Sequence, residues 1–144
     1  MTKFQPTNIS QIKEIWESEG FTFKKKFSQN FLIDLNIVNK ILDSGSIEEG
    51  DTVLEIGPGS GALTVSMLER KARVYAIEID PIASRILDKH LGDNPLFTLI
   101  NEDILNTDLS FLKSGCKVIS NLPYHITSPI IAKLADYHPI FSEI

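Results

Sequence analysis

Short apolar runs alternate with amphipathic stretches through most of the chain. After Gly50 the apolar runs predict four strands, at 52–56, 73–79, 96–100 and 117–121. The strands are apolar almost throughout, and helical periodicity separates most of them. We therefore expect an α/β fold in which a parallel sheet is covered by helices on both faces.

The same pattern predicts helices before and between these strands. A first helix is expected at 8–19, and Asp34 caps a second that ends near Gly45. Helices at 61–70 and from Pro81 follow the first two strands. A last helix is expected from Ser128 to Pro139, with Pro129 at its first helical position.

Composition narrows the class of protein. The chain has 144 residues, which is enough for one domain. Its net charge of -5 argues weakly against nucleic acid as a partner. Its one cysteine, Cys116, excludes a disulfide framework and is expected to be a small buried side chain. No apolar run is long enough to cross a bilayer and no signal peptide is evident, so we expect a cytoplasmic protein.

A glycine-rich loop follows the first predicted strand directly. Gly57, Gly59 and Gly61 precede a helix, and glycines permit both positive φ and close approach of a ligand to the backbone. Gly57, Gly59 and Ala62 also match the dinucleotide fingerprint G-x-G-x-x-G/A. The loop therefore predicts a nucleoside-containing cofactor without identifying it, and a nicotinamide-dependent oxidoreductase stays open.

Acidic residues follow the next two strands. Glu78 lies twenty-one residues after Gly57, where a carboxylate accepts hydrogen bonds from both ribose hydroxyls. Asp80 is either a second ribose ligand or the cap of the helix that begins at Pro81. Glu102 and Asp103 follow the third strand, and we expect Asp103 to accept a hydrogen bond from the exocyclic amine of adenine.

The tetrapeptide after the fourth strand indicates a particular chemistry. The exocyclic amine of adenine is a poor nucleophile, and an enzyme that alkylates it needs acceptors for its N–H groups. The Asn121 side chain and the Leu122 carbonyl are the expected acceptors. Pro123 would stiffen the loop, and Tyr124 would offer a stacking surface for the base.

With these motifs the chain resembles the ribosomal RNA adenine dimethyltransferases, and within them the small-subunit enzymes. The resemblance lies in five ordered segments: 25–32, 55–61, 76–80, 102–103 and 121–124. It implies a Rossmann-like class I methyltransferase fold and S-adenosylmethionine as methyl donor. The cofactor contacts that it implies are Asn30, Leu32, Gly57, Gly59, Glu78, Asp103 and Asn121. Ser28 departs from the Gly of many relatives, but Ser is small and we expect cofactor binding to persist.

The resemblance also implies the substrate. It points to N6,N6-dimethylation of two adjacent adenines near the 3′ end of small-subunit ribosomal RNA, in the assembling subunit. The target base, flipped out of its stack, would meet the 121–124 segment. Lys24, Lys25 and Lys26, interleaved with phenylalanines, are then expected to face RNA rather than form only a solvated run.

Other readings remain open at this point. Resistance-type relatives that methylate large-subunit RNA share the motifs, and a non-catalytic module that binds RNA or ribosomal subunits is a third possibility. Metal catalysis has no support, because His90, His125 and His138 lack the spacing of a metal site.

The family comparison further predicts how the chain is divided. We expect residues 1–33 to form an N-terminal helix with an RNA- and cofactor-facing segment, and 34–144 the cofactor-binding domain. Relatives continue with further strands and a helical domain, so the chain is expected to be the cofactor-binding part of a longer fold. The fourth strand would then be an exposed edge, and we expect weak cofactor binding and inefficient methylation by this part alone.

Overall fold

The structure, a computed structural model, describes residues 3–20, 34–120, 127–137 and 141–143. Helices and strands alternate after Gly50, as the hydrophobic pattern predicts. In chain order the elements are α1 (Ile9–Ser18), α2 (Leu35–Ser44), β1 (Thr52–Ile56), α3 (Ala62–Glu69), β2 (Arg73–Ile77), α4 (Pro81–Leu91), β3 (Phe97–Ile100), a 3-10 turn (Ile104–Asn106), β4 (Cys116–Ser120), α5 (Thr127–Ala135) and β5 (Phe141–Glu143).

The strands of the described ranges form one parallel sheet in the order β3-β2-β1-β4-β5. Strands β2 and β3 lie in sequence on one side of β1, and β4 lies on the other side of β1. Strand order therefore reverses between β1 and β4, where Ile56 pairs with Ser120. Ligands of such sheets bind at the carboxyl ends of the strands beside this reversal.

The parallel α/β sheet is confirmed, but the prediction that β4 is its edge is wrong. β5 pairs with β4 through Cys116 and Phe141, with an irregularity in register before Lys117 pairs with Glu143. The three residues of this strand are too few to show a period in the sequence. β5, rather than β4, is the outer strand on this side of the described sheet.

Other boundaries differ from prediction by a few residues, including those of β2 and α5. β2 ends at Ile77, two residues early, because the following residues turn toward α4 rather than continue the strand. α5 begins at Thr127, so Pro129 is its third residue and not its first. A proline is tolerated there because amides in the first turn have no partner within the helix.

Apolar side chains cover both faces of the sheet, as a parallel sheet requires. Alternation along β1 places Val53 in one buried cluster and Leu54 in the other. The first cluster includes Val38, Leu42, Met67, Val74 and Leu87, from α2, α3, β2 and α4. The second includes Ile77, Ile104, Leu109, Ile130 and Leu134, from β2, the 3-10 turn and its following loop, and α5.

Helix α1 packs on the outside of α4. Ile12 and Trp16 form a buried cluster with Ala83 and Ile86. The Asn8 side chain caps α1, because it accepts a hydrogen bond from the amide of residue 11 at 3.1 Å. No helix in the described part of the chain is long and apolar enough to span a membrane.

Candidate cofactor-binding site

The loop between β1 and α3 depends on its glycines. Gly57, Gly59 and Gly61 have φ values of 69°, 57° and 92°, and residues with a Cβ rarely adopt such positive values. A Cβ on Gly61 would also lie 2.8 Å from Cδ2 of Leu87. The Gly57 amide donates to the carbonyl of Ile77 at 2.8 Å and so ties the loop to the end of β2.

Glu78 lies directly beside this loop. Its Oε1 accepts the Gly59 amide at 2.8 Å, and its Oε2 accepts the Asp80 amide at 3.0 Å. Both oxygens are thereby oriented, and each keeps a further lone pair for a ligand hydroxyl. The side chain is 6% exposed, and burial raises its pKa although the backbone hydrogen bonds oppose that shift.

The structure decides between the two interpretations of Asp80. Its Oδ1 accepts the amides of Ile82 at 2.8 Å and Ala83 at 3.4 Å, so Asp80 is the N-cap of α4. The helix-cap interpretation is confirmed. Only Glu78 of this acidic pair turns its carboxylate toward the glycine loop.

Asp103 begins the 3-10 turn after β3. Its Oδ1 accepts the Leu105 amide at 2.9 Å, while no described residue donates a hydrogen bond to Oδ2. The neighbouring Glu102 is exposed. Because β3 lies beside β2, and Glu78 donates its amide to Ile100 at 2.9 Å, both predicted carboxylates lie at the same end of the sheet.

Two residues at this end of the sheet were not singled out from the sequence. Asn101 donates its Nδ2 to the carbonyl of Glu78 at 2.7 Å and to that of Ile79 at 3.4 Å, which fixes the backbone beside the carboxylate. Ile79 is 64% exposed, unlike an ordinary strand residue. Its position directly before Asp-Pro was the available signal, since that pair starts a helix and ends the strand.

A second buried acid lies behind the loop. Glu55 on β1 is 1% exposed and accepts a hydrogen bond from the hydroxyl of Thr64 on α3. Burial, reinforced by the nearby charge of Glu78 and opposed by the Thr64 hydrogen bond, raises the pKa of Glu55 to about 8. An acid inside the run Val-Leu-Glu-Ile was the sequence signal for it.

Several predicted site residues lie outside the described residues. They are Lys24, Lys25, Lys26, Asn30, Leu32, Asn121, Leu122, Pro123 and Tyr124, together with Ser28, His125 and His138. Their assigned roles stay predictions. Ser120, immediately before the 121–124 segment, donates its hydroxyl to the Ile56 carbonyl at 2.5 Å, so β4 ends beside the start of the glycine loop.

Neither Cys116 nor His90 was predicted as a site residue. Cys116 is buried, as predicted, and burial raises the pKa of its thiol to about 11. The ring of His90 stacks on Phe4, with centroids 4.5 Å apart. Within the described ranges, no group of three or more His, Cys, Asp and Glu residues is placed to hold a metal ion.

The sheet order, the glycine loop after β1 and the acid after β2 define a class I methyltransferase fold, and solved structures agree. A dimethyladenosine transferase from Plasmodium falciparum is 34% identical with a TM-score of 0.62, over 75% of this chain and 39% of that chain. The 23S rRNA methyltransferase ErmE is 30% identical with a TM-score of 0.67, over 77% of this chain and 44% of that chain. Methyltransferases of this class depend on S-adenosylmethionine, which confirms the cofactor that the sequence predicted.

The sequence family described as "Ribosomal RNA adenine dimethylase" matches residues 20–144, and the chain belongs to that family. "Ribosomal RNA small subunit methyltransferase A" of Streptococcus pneumoniae serotype 2 is 47% identical over 143 residues, covering 94% of this chain and 49% of the relative. The protein of the same name from Alkaliphilus oremlandii is 45% identical over 132 residues, covering 88% and 46%. The chain spans about half the length of these curated relatives.

Proposed function

We propose that this chain binds S-adenosylmethionine for an enzyme that dimethylates N6 of two adjacent adenines near the 3′ end of small-subunit ribosomal RNA. The observation that carries the proposal is the Glu78 carboxylate, held against the Gly59 amide at the carboxyl end of the sheet. The family and the names of its small-subunit relatives supply the reaction and the RNA.

The described residues fit the adenosyl part of this cofactor. Glu78 offers two oriented oxygens to the two ribose hydroxyls. Ile79 offers an exposed apolar surface for the adenine ring, and Asp103 keeps Oδ2 for its exocyclic amine. Gly57 and Gly59 let the methionine part approach the backbone. Asn30, Leu32 and Asn121 complete the contacts that the family resemblance implies.

In the methylation step, the main task of this chain is to position the target adenine against the methyl donor. When bound, S-adenosylmethionine supplies an electrophilic methyl group. Asn121 and the Leu122 carbonyl accept hydrogen bonds from the target amine, which favours a geometry in which its lone pair is available to react. Pro123 stiffens the segment, and Tyr124 stacks on the base. Orientation and fixed dipoles are the expected sources of rate.

The RNA surface is assigned to the N-terminal part of the chain. Residues 1–33 carry Lys24, Lys25 and Lys26, whose charges suit phosphate contacts, and 34–144 form the cofactor-binding domain. The net charge of -5 does not oppose this role, because a local basic run binds phosphate regardless of the average. The assembling small subunit in the cytoplasm is the proposed partner.

Large-subunit ribosomal RNA is the second candidate substrate. The 30% identity to a 23S rRNA methyltransferase favours it, but the 47% identity to a small-subunit enzyme is higher and covers more of this chain. A non-catalytic RNA-binding module is the third reading, and the buried, oriented Glu78 argues against it because RNA binding alone does not need that carboxylate.

Labelled methyl transfer distinguishes these candidates. The complete product of the reading frame that encodes this chain is incubated with methyl-labelled S-adenosylmethionine and unmethylated small or large subunits. We expect label in small-subunit RNA, recovered as N6,N6-dimethyladenosine at two adjacent positions. Label found only in large-subunit RNA would show that large-subunit RNA is the substrate instead. Absence of label from both RNAs would support the non-catalytic RNA-binding module.

A further inference from the structure

Lys133 on α5 reaches across to the turn that carries Asp103. Its Nζ donates hydrogen bonds to the carbonyl oxygens of Ile104 and Thr107, at the two ends of the 3-10 turn. Helix α5 also packs against the turn, because Ile130 and Leu134 belong to the same buried cluster as Ile104. The ammonium group therefore joins the short turn to the neighbouring helix α5.

Besides the burial of the Ile104 side chain, this short turn is held by hydrogen bonds. It contains three residues, and 3-10 hydrogen bonds are weaker than those of an α-helix. Within it, the Asn106 amide and the Thr107 hydroxyl each donate to the Asp103 carbonyl at 2.9 Å. The Leu105 amide holds Oδ1 of Asp103 at 2.9 Å. Any shift of the turn therefore moves the Asp103 carboxylate.

We propose that Lys133 is a positioning residue for recognition of the cofactor's adenine. By holding the carbonyls of Ile104 and Thr107, it fixes the direction in which Oδ2 of Asp103 faces the exocyclic amine. The inference rests on the proposed function, because it takes Asp103 as the residue that reads the base. Lys133 itself touches neither substrate nor cofactor in this role.

The placement of α5 gives the clamp a second consequence. The helix begins at Thr127, three residues after Tyr124 of the predicted target-adenine segment. One helix thus follows the segment for the target base and holds the turn for the cofactor base. The helix that carries Lys133 is therefore close in sequence to the predicted target-adenine segment.

Base selectivity tests this role directly. Calorimetry compares the affinity for S-adenosylhomocysteine with that for S-inosylhomocysteine, in which a carbonyl replaces the exocyclic amine that Asp103 would recognise. Wild type is expected to prefer the adenine ligand by about tenfold or more, the usual effect of a hydrogen bond to a charged group. Lys133→Met is expected to reduce this preference at least about threefold, a large part of what Asp103→Asn removes.

Lys117→Met is the matched control. Lys117 makes similar bonds, to the Ser46 carbonyl at 2.8 Å and to Asp51 at 3.0 Å, but at the amino end of β4. Its loss is expected to lower stability without changing the preference between the two ligands. If Lys133→Met does not fold, Lys133→Gln, which is shorter and keeps a polar group, replaces it.

A double-mutant cycle completes the test. In the Asp103→Asn background, Lys133→Met is expected to change selectivity by less than about twofold, since both residues act on one contact. A wild-type preference that survives Lys133→Met unchanged would overturn the inference while leaving the proposed function intact. Wild-type protein that binds neither ligand would instead contradict the proposed function.

Discussion

The carboxylate of Glu78 and the amide of Gly59 are joined by a hydrogen bond of 2.8 Å across nineteen positions of sequence. The bond connects the end of β2 with the loop after β1, so it holds the carboxylate against the loop. Oε2 is held in turn by the Asp80 amide, which leads into α4. A ligand that binds the Glu78 oxygens therefore meets a prearranged site.

Replacing Glu78 is expected to weaken cofactor binding strongly. In Glu78→Gln an amide NH2 must face the Gly59 or the Asp80 amide, and the ribose loses a charged acceptor. We expect about a tenfold to hundredfold loss of affinity for S-adenosylhomocysteine, measured by calorimetry. An affinity within twofold of wild type would show that Glu78 does not contact the ribose.

Asp80 provides the contrasting acid two residues away. Because its Oδ1 caps α4, Asp80→Ala should lower the free energy of unfolding by about 1 kcal/mol. Cofactor affinity should change less than about twofold, since the cap does not point toward the ligand. Urea unfolding and calorimetry on the same variant check both expectations. A large loss of affinity without loss of stability would return Asp80 to the ribose site.

Gly61 and Gly115 distinguish two reasons why a position favours glycine. Both have positive φ, 92° and 90°, but a Cβ on Gly61 would approach Leu87 Cδ2 to 2.8 Å while one on Gly115 would meet nothing within 4 Å. Gly115→Ala should cost about 1 kcal/mol from backbone strain alone. Gly61→Ala should cost about 2 to 4 kcal/mol, because overpacking adds to that strain. Equal losses in urea unfolding would contradict the packing of α4 against the loop.

Glu55 makes stability depend on pH. Its pKa of about 8 in the folded protein, raised mainly by burial, exceeds that of an exposed glutamate, so the folded state binds more protons between these two values. The free energy of unfolding should therefore fall as pH rises from about 4.5 toward 8, by at most about 1.4 kcal/mol per pH unit.

Glu55→Gln removes this group while keeping a partner for the Thr64 hydroxyl. Its stability curve should be flatter than that of wild type over the same range, and the variant should gain relative stability at alkaline pH. The check is urea unfolding at a series of pH values. Parallel curves for the two proteins would show that Glu55 titrates normally.

Local patterns predicted the sheet well because each strand is a short apolar run between strong boundary signals. β1 is observed at Thr52–Ile56 as predicted, and Asp34 caps α2 as its spacing indicated. β5 could not be predicted in this way, because its three residues form a strand through pairing with β4 rather than through their own pattern. Such pairing is a tertiary effect that periodicity does not record.

The sequence predicted where the candidate site residues meet, but not the bonds that hold them in place. Gly57, Gly59, Glu78 and Asp103 do lie at one end of the sheet, because parallel strands bring their carboxyl ends together. The roles of Asn101 and Lys133 depend on bonds to backbone carbonyls of distant segments. Nothing in the spacing of those two residues identifies the acceptors.

Calorimetry with two competing cofactors tests the central claim most directly. The chain and its Glu78→Gln variant are each titrated with S-adenosylmethionine and with NAD, which share the adenosine that the site is proposed to bind. Wild type should bind S-adenosylmethionine more tightly than NAD, and the variant should lose most of that affinity. Tighter binding of NAD by the wild-type chain would contradict the assignment of this site to a methyltransferase.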